Sequence, residues 1–169
     1  MELIDIIPEF NLYEEYWKIY TKSDITPPQY IAADAKVERS IIGEGTEVYG
    51  QVINSVIGAG VTIGKGTVVR DSIIMKNTTI GENCTIDKAI IAEEVEISDG
   101  VVMGIGEEVP NKVQPKIYSF GLVTIGENSY IPPNVKIGKN TAIAGDTTPD
   151  DYNEGVLASG ETLIKVGER

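Results

Sequence analysis

The sequence predicts a mainly β fold, a parallel β-helix, on three observations. Aliphatic residues recur every six positions: Ile57, Ile63 and Val69, then Ile74, Ile80 and Ile86, then Ile91, Ile97 and Met103, each set 17 residues after the last. Ile125, Ile131, Ile137 and Ile143 keep the same step. Turn clusters follow many of these residues: GEG at 43–45, GAG at 58–60, GKG at 64–66, GEN at 81–83 and 126–128, and GKN at 138–140. Glycine and asparagine tolerate φ > 0 at low cost, so these are tight corners. The aliphatic content is 25 Ile and 16 Val against only 5 Leu, and β-branched side chains suit pleated surfaces rather than helix cores.

Taken in order, residues 1–32 lack the period and read as an interdomain linker and capping segment. Within them NLYEEYWKIY reads as a short helical stretch with Asn11 as its cap, and Pro27 and Pro28 end any helix before the first coil. Residues 33–145 form the β-helix domain, in which the chain turns every six residues and closes a coil after three turns. Coils stacked by parallel pairing lie about 4.8 Å apart. The expected inward core is Ile57, Ile63, Ile74, Ile80, Cys84, Ile91, Ile97, Ile125, Ile131 and Ile137. The residues four positions after each leading aliphatic, such as Thr46, Val61, Thr67, Thr78 and Val95, are small or β-branched and fit the narrow space beside the ladders. A loop at about 104–122 interrupts the repeat, and residues 146–169 read as a C-terminal tail or cap holding one last strand candidate, VLASGETLIKV. A stacked helix leaves open strand edges at its ends, so end segments are expected to cover them.

Composition removes whole classes of function. The 169 residues suffice for one domain with a real core. Fourteen basic residues against 26 acidic ones give a net charge of −12, which repels phosphate backbones and anionic headgroups, so no nucleic acid and no membrane is expected as partner. With no histidine, Ser-His-Asp catalysis, histidine bases and histidine zinc sites are excluded. The single cysteine, Cys84, has no partner for an internal disulfide, and the acidic start MELIDIIPEF is unlike a signal peptide, so a cytoplasmic protein is expected.

Several motifs have a plainer explanation. GAGVTIGKGT departs from a phosphate-binding loop by Ala59 and spans two corners of the repeat. NTT at 77–79 and NCT at 83–85 match glycosylation sequons but lie inside repeats. The carboxylate groups Glu93, Glu94 and Glu96, and Asp146, Asp150 and Asp151, lack calcium-loop spacing and read as solvated faces. Cys84 reads as an inward filler without a base partner. No catalytic, cofactor-binding or metal-ligating set emerges. The candidate functional residues are basic side chains near corners or the loop, Lys88, Lys112 and Lys116, which could contact a regulatory anion.

The pattern is a hexapeptide repeat, and resemblance to that class implies a left-handed coil. Acyltransferases and carbonic anhydrases built on it generally need histidine, which this chain lacks. FNLYEEYWKIYTKSDITPPQYI followed by AKVERSIIGEGTEVYGQVINSVIGAGVTIGKGTVVRDSIIM, with GLVTIGENSYIPPNVKIG later, resembles the C-terminal region of bacterial glucose-1-phosphate adenylyltransferases, the ADP-glucose pyrophosphorylases. Trp17, Pro27 and Pro28 match the family's approach from catalytic domain to β-helix. The resemblance implies ADP-glucose formation from ATP and glucose 1-phosphate for glycogen synthesis, in a homotetramer. It places ATP with Mg²⁺ in an N-terminal domain whose G-x-G-T-R-L loop does not occur here. This chain would supply subunit contacts and regulatory surface to its catalytic domain and to other subunits, and would be inactive alone. Lys88 matches one basic activator position, while Glu93 and Ser119 stand where plant-type members carry lysine, which implies a weak response to sugar phosphates. Two alternatives stay open: the β-helix of another sugar-nucleotide pyrophosphorylase or of a non-catalytic partner subunit, and a free-standing interaction module. Exposure of Leu12, Tyr16, Trp17 and Tyr20 bears on the second.

Overall fold

A six-residue step leaves room for two or three extended residues and a corner, and that is how the chain is built. The computed structural model describes residues 25–165, together with Ile4, Glu9, Leu12 and residues 14–16. Asn11, Trp17 and Tyr20 lie outside the described residues; of the helical stretch expected over residues 11–20, the described Leu12 and residues 14–16 form a turn and a bend, not a helix. Every strand pairing is parallel, and the strands fall into three sheets that form the walls of a prism.

Sheet A holds Tyr30–Ile31, Glu47–Val48, Thr62–Ile63, Thr79–Ile80, Glu96–Ile97 and Tyr130–Ile131. Sheet B holds Lys36–Glu38, Gln51–Ile53, Val68–Arg70, Thr85–Asp87, Val102–Ile105, Lys136–Gly138 and Val156–Leu157. Sheet C holds Ile41–Ile42, Val56–Ile57, Ile73–Ile74, Ala89–Ile91, Val123–Ile125, Thr141–Ala144 and Thr162–Ile164. The chain visits A, B and C in turn through six full coils, then adds a seventh from its last B and C strands. The paired strands begin at Tyr30 rather than 33 and run on past residue 145 into Val156–Leu157 and Thr162–Ile164, within the strand candidate VLASGETLIKV. Pairing decides both ends, because hydrogen bonds to the neighbouring coil hold residues there that carry no clean period.

Register does the stacking. Ile63 pairs with Ile80 and Ile80 with Ile97, while Ile57 pairs with Ile74 and Ile74 with Ile91. All these side chains are buried, as are Ile125, Ile131, Ile137 and Ile143. Each buried Ile contributes about 1.5–3 kcal/mol. The 17-residue coil consists of two steps of six and one of five, and the short step is always the corner from sheet B to sheet C. There a single residue takes a left-handed conformation: Arg39 (φ 44°), Asn54 (φ 49°), Asp71 (φ 49°) and Lys88 (φ 50°).

Most of the other corners use two-residue turns ending in Gly or Asn, with Glu94 (φ 57°) among the exceptions. Gly60 (φ +70°) shows why size matters there: a Cβ on it would lie 2.6 Å from Asn77 Oδ1 of the next coil. The residues beside the ladders, Thr46, Val61, Thr67, Thr78, Cys84 and Val95 among them, are buried. They do more than fill space, because the hydroxyls of Thr46, Thr67 and Thr78 donate to the carbonyls of Gly58, Gly81 and Ala92 at 2.9, 2.6 and 2.9 Å. Among the described residues no buried side-chain nitrogen or oxygen lacks a partner.

The seventh coil has no sheet A strand. In its place residues 147–155 fold over the end with a short 3₁₀ turn at Pro149–Asp151, and buried Tyr152 joins the core, its hydroxyl 2.8 Å from Thr147 Oγ1. Asp151 pairs with Lys165 and accepts from the Thr148 N–H and hydroxyl. These contacts, the Lys165 ammonium first, lower its pKa from 3.8 to about 2.

Ile80→Asp buries an unpaired charge between Ile63 and Ile97, and a loss of more than about 4 kcal/mol is expected. Ile80→Val is expected to cost about 1 kcal/mol; urea titration measures both. The depressed pKa of Asp151 makes its stabilisation complete above the unfolded value, near 3.8, and lost as pH falls toward about 2. Thermal melts should therefore show Asp151→Asn below the parent chain at neutral pH, with the gap closing between about pH 4 and pH 2.

Candidate functional site

The B–C edge carries the features that the packing of the core does not explain. Along it stack Asn54, Asp71 and Lys88, each at the short corner, with Asn54 Nδ2 donating to Asp71 Oδ1. Beside them runs a seam of serines. Ser55 N donates to Ser40 Oγ (3.1 Å), Ser72 N to Ser55 Oγ (3.2 Å) and Ala89 N to Ser72 Oγ (3.0 Å). Each hydroxyl in turn donates to the carbonyl two residues before it, of Glu38, Ile53 and Arg70. The seam stops at Ala89, which has no hydroxyl, and the next coil replaces the short corner with the long loop.

That loop leaves sheet B at Ile105, rejoins sheet C at Val123, and lies over the B–C corners of the two coils that follow. Its anchor is Asn111, a buried side chain whose Nδ2 donates to Asn140 O (2.9 Å), Glu161 O (3.3 Å) and Thr162 Oγ1 (3.0 Å). Asn111 Oδ1 accepts from the N–H groups of Val113 and Gln114 at 2.9 and 2.8 Å. Asn140 completes the clasp, donating to Val109 O (2.7 Å) and accepting from Gly121 N (2.7 Å). Gly160 (φ +77°) lets the loop lie this close: a Cβ there would stand 2.6 Å from Pro110 O. The pinned loop presents Val113, Ile117 and Phe120 to solvent. Phe120 is 80% exposed and holds φ at 62°, a region bulky side chains rarely adopt.

The three lysines singled out in the sequence all belong to this edge, but no contact joins them. Lys88 lies exposed at the fourth coil's corner, where its carbonyl accepts from Val123 N at 2.9 Å, just after the loop. Lys116 is exposed within the turn that Gln114 O closes with the N–H groups of Ile117 and Tyr118. Lys112 is engaged: its ammonium pairs with Glu161. Carboxylates flank the edge as well. Asp71 occupies the corner below Lys88, and in the loop Glu108 Oε2 and Lys139 Cδ lie 3.4 and 3.8 Å from where a Cβ of Gly121 would stand. Glu93 is held by Lys76 at 3.0 Å.

Among the described residues no reactive constellation appears elsewhere. Cys84 is buried, its thiol donates to Ser98 O at 3.2 Å, and burial pushes its pKa up, which disfavours the thiolate a nucleophile needs. Among the described residues no three carboxylate or thiol groups are arranged to hold a metal ion, and no helix is long and apolar enough to cross a membrane. A cleft of about 460 Å³ on the sheet A side, lined by Glu96, Tyr130, Pro132, Pro133, Asp146 and Thr148, contains none of the three lysines. The anchors Asn111 and Asn140 carry no sequence signal that separates them from the other asparagines. The serine seam does carry one, since Ser40, Ser55 and Ser72 each stand directly before a sheet C strand.

Three parallel sheets closed by five- and six-residue corners, with a ladder of β-branched side chains inside, define a β-helix of the hexapeptide-repeat class. Within it the chain belongs to the EIF2B subunit epsilon LbH domain family, whose model matches residues 17–116. The chain is also 65% identical over 168 residues to a glucose-1-phosphate adenylyltransferase of Lachnospira eligens, covering 99% of this chain and 40% of that protein, in its C-terminal part. Enzymes of the same name from Thermotoga neapolitana and Acetivibrio thermocellus are 49% identical over 164 residues and 41% identical over 168. The chain spans about two-fifths of the length of these curated relatives.

Removing the anchor should free the loop without unfolding the coils. Asn111→Ala leaves the Val113 and Gln114 N–H groups and three acceptors without their bonds, and a loss of about 1–3 kcal/mol is expected. Limited proteolysis should then cut within residues 112–120 while the β circular-dichroism signal persists.

Proposed function

We propose that these residues form the β-helix part of a glucose-1-phosphate adenylyltransferase, which makes ADP-glucose and diphosphate from ATP and glucose 1-phosphate for glycogen synthesis in the cytoplasm. The observation that carries this reading is 65% identity along 99% of the chain to an enzyme of that name. The nucleotide chemistry, with the Mg²⁺ that accompanies ATP, belongs to the catalytic domain that precedes this region in such an enzyme. The β-helix contributes rigid surface: contact with that domain, subunit contacts in a homotetramer, and the loop-bearing edge as a regulatory element.

Regulation by anionic sugar phosphates through Lys88, Lys112 and Lys116 is proposed to be weak. Lys112 is already paired with Glu161, and Asp71 lies in the corner next to that of Lys88. A chimera tests both statements. Residues 1–169 replacing the matching two-fifths of the Lachnospira eligens enzyme should give an assembled adenylyltransferase, while the 169-residue chain alone should make no ADP-glucose. An unassembled or inactive chimera, or turnover by the chain alone, would overturn the assignment. Activation of the chimera by sugar phosphates should be small and little changed by Lys88→Ala; a large activation lost in that variant would reverse the regulatory reading.

A further inference from the structure

Outward side chains of a parallel β-helix stack in columns just as the inward ones do, because pairing aligns each coil with the next. Sheet C carries an outward column unlike those of the other two walls. Ile41 pairs with Val56, Val56 with Ile73 and Ile73 with Ile90, so four aliphatic side chains stand one above another on its outer face, all half-buried. Thr124 and Ala142 continue the column with smaller residues. The matching column of sheet A reads Glu47, Thr62, Thr79 and Glu96, and that of sheet B reads Gln51, Val68, Thr85 and Val102. A continuous aliphatic strip on one outer wall marks a surface that meets another protein surface.

The charges at the two edges of this wall choose the occupant. On the B–C edge the corner residues of the first four coils are Arg39, Asn54, Asp71 and Lys88. On the C–A edge they are Glu44, Ala59, Lys76 and Glu93. That second row is stacked by Gly60 N donating to Glu44 O, Asn77 N to Ala59 O and Glu94 N to Lys76 O, at 2.8, 2.9 and 3.1 Å. Glu38, Arg70 and Asp87, one position before the B–C corners, stand on the outer face of sheet B and not on this wall. Coil by coil the two edges of sheet C are opposite: plus against minus, neutral against neutral, minus against plus, plus against minus.

We propose that the outer face of sheet C binds the same face of a second copy of this chain, with the two prisms side by side and parallel. A two-fold axis along the prisms lays each B–C edge over the other copy's C–A edge at equal height. Arg39 of one copy then faces Glu44 of the other, Asp71 faces Lys76, and Lys88 faces Glu93, while the aliphatic columns meet between them at a sheet separation of about 10 Å. Antiparallel prisms with the four-residue columns fully overlapped bring Arg39 onto Lys88 and Glu44 onto Glu93, which repel. Lys76 and Glu93 pair within one chain at 3.0 Å, so Asp71 and Lys88 of the other copy complete a group of four alternating charges. Exposed pairs of this kind set orientation more than affinity, which the columns supply. A net charge of −12 on each copy opposes contact through a face without such pairing.

This contact gives a place to the subunit contacts proposed above, but it rests on this chain's own surface. Its test reads association without adenylyltransferase activity, so the two readings fail separately. Sedimentation equilibrium of the 169-residue chain should show a monomer–dimer equilibrium in the micromolar range. Ile73→Lys should weaken it by about tenfold or more with the β circular-dichroism signal retained, while Val68→Lys, on the outer face of sheet B, should leave it unchanged. Asp71→Lys and Lys76→Glu should each weaken association by about tenfold, and the double variant should recover most of the loss, because each reversed charge then meets a reversed partner. Both charge positions are corners, so they carry the test if Ile73→Lys does not fold. A chain that stays monomeric at every concentration, a dimer indifferent to Ile73→Lys, or a double variant no tighter than the single ones overturns the proposal.

Discussion

Everything in this structure depends on the vertical alignment of inward side chains. A residue in one coil touches its equivalents directly above and below, so the core is a set of columns rather than a cluster. A column tolerates one shape, and Ile and Val supply it: branched at Cβ, restricted in χ1 and flat enough to stack at strand spacing. Columns of this kind fix the register, because sliding a strand by one residue would turn every ladder side chain outward. They also explain the interior position of Cys84, which takes the place of Thr or Val beside the column and satisfies its thiol on the Ser98 carbonyl.

The corners answer a different requirement. The backbone must reverse within two or three residues, and polar groups stranded inside each corner need partners. Threonine hydroxyls serve the wide corners and the serine seam serves the narrow one, each bonding between coils as well as within one. Because the columns carry the stability, a corner is free to grow. The 17 residues between Ile105 and Val123 enlarge a single B–C corner, yet Ala89 still pairs with Val123 as if the insertion were absent. Variation concentrated at one edge of a rigid prism is how such a scaffold acquires a functional surface.

That edge also shows the limits of reading charge from sequence. The sequence offers Lys88, Lys112 and Lys116 as candidates for an anion contact, but their signs do not show which of them has a partner. In the fold Lys112 pairs with Glu161, and Asp71 occupies the corner below that of Lys88. The more distinctive surface is apolar: a loop clamped by Asn111 and Asn140 that holds Phe120 in a strained conformation facing solvent. Strain maintained by several hydrogen bonds around an exposed ring is the arrangement expected of a contact surface.

The sequence by itself determined the class of fold, the inward columns and the absence of histidine chemistry, because each follows from residue identity repeated at a fixed local step. Tertiary structure alone decided that the helix extends from Tyr30 through a seventh coil and that the loop is a clamped platform. It alone decided which lysine is already paired. The physical reason is separation along the chain. Ile80 announces its role six residues at a time, but Asn111 finds Thr162 across 51 positions, and nothing local in either residue specifies that meeting.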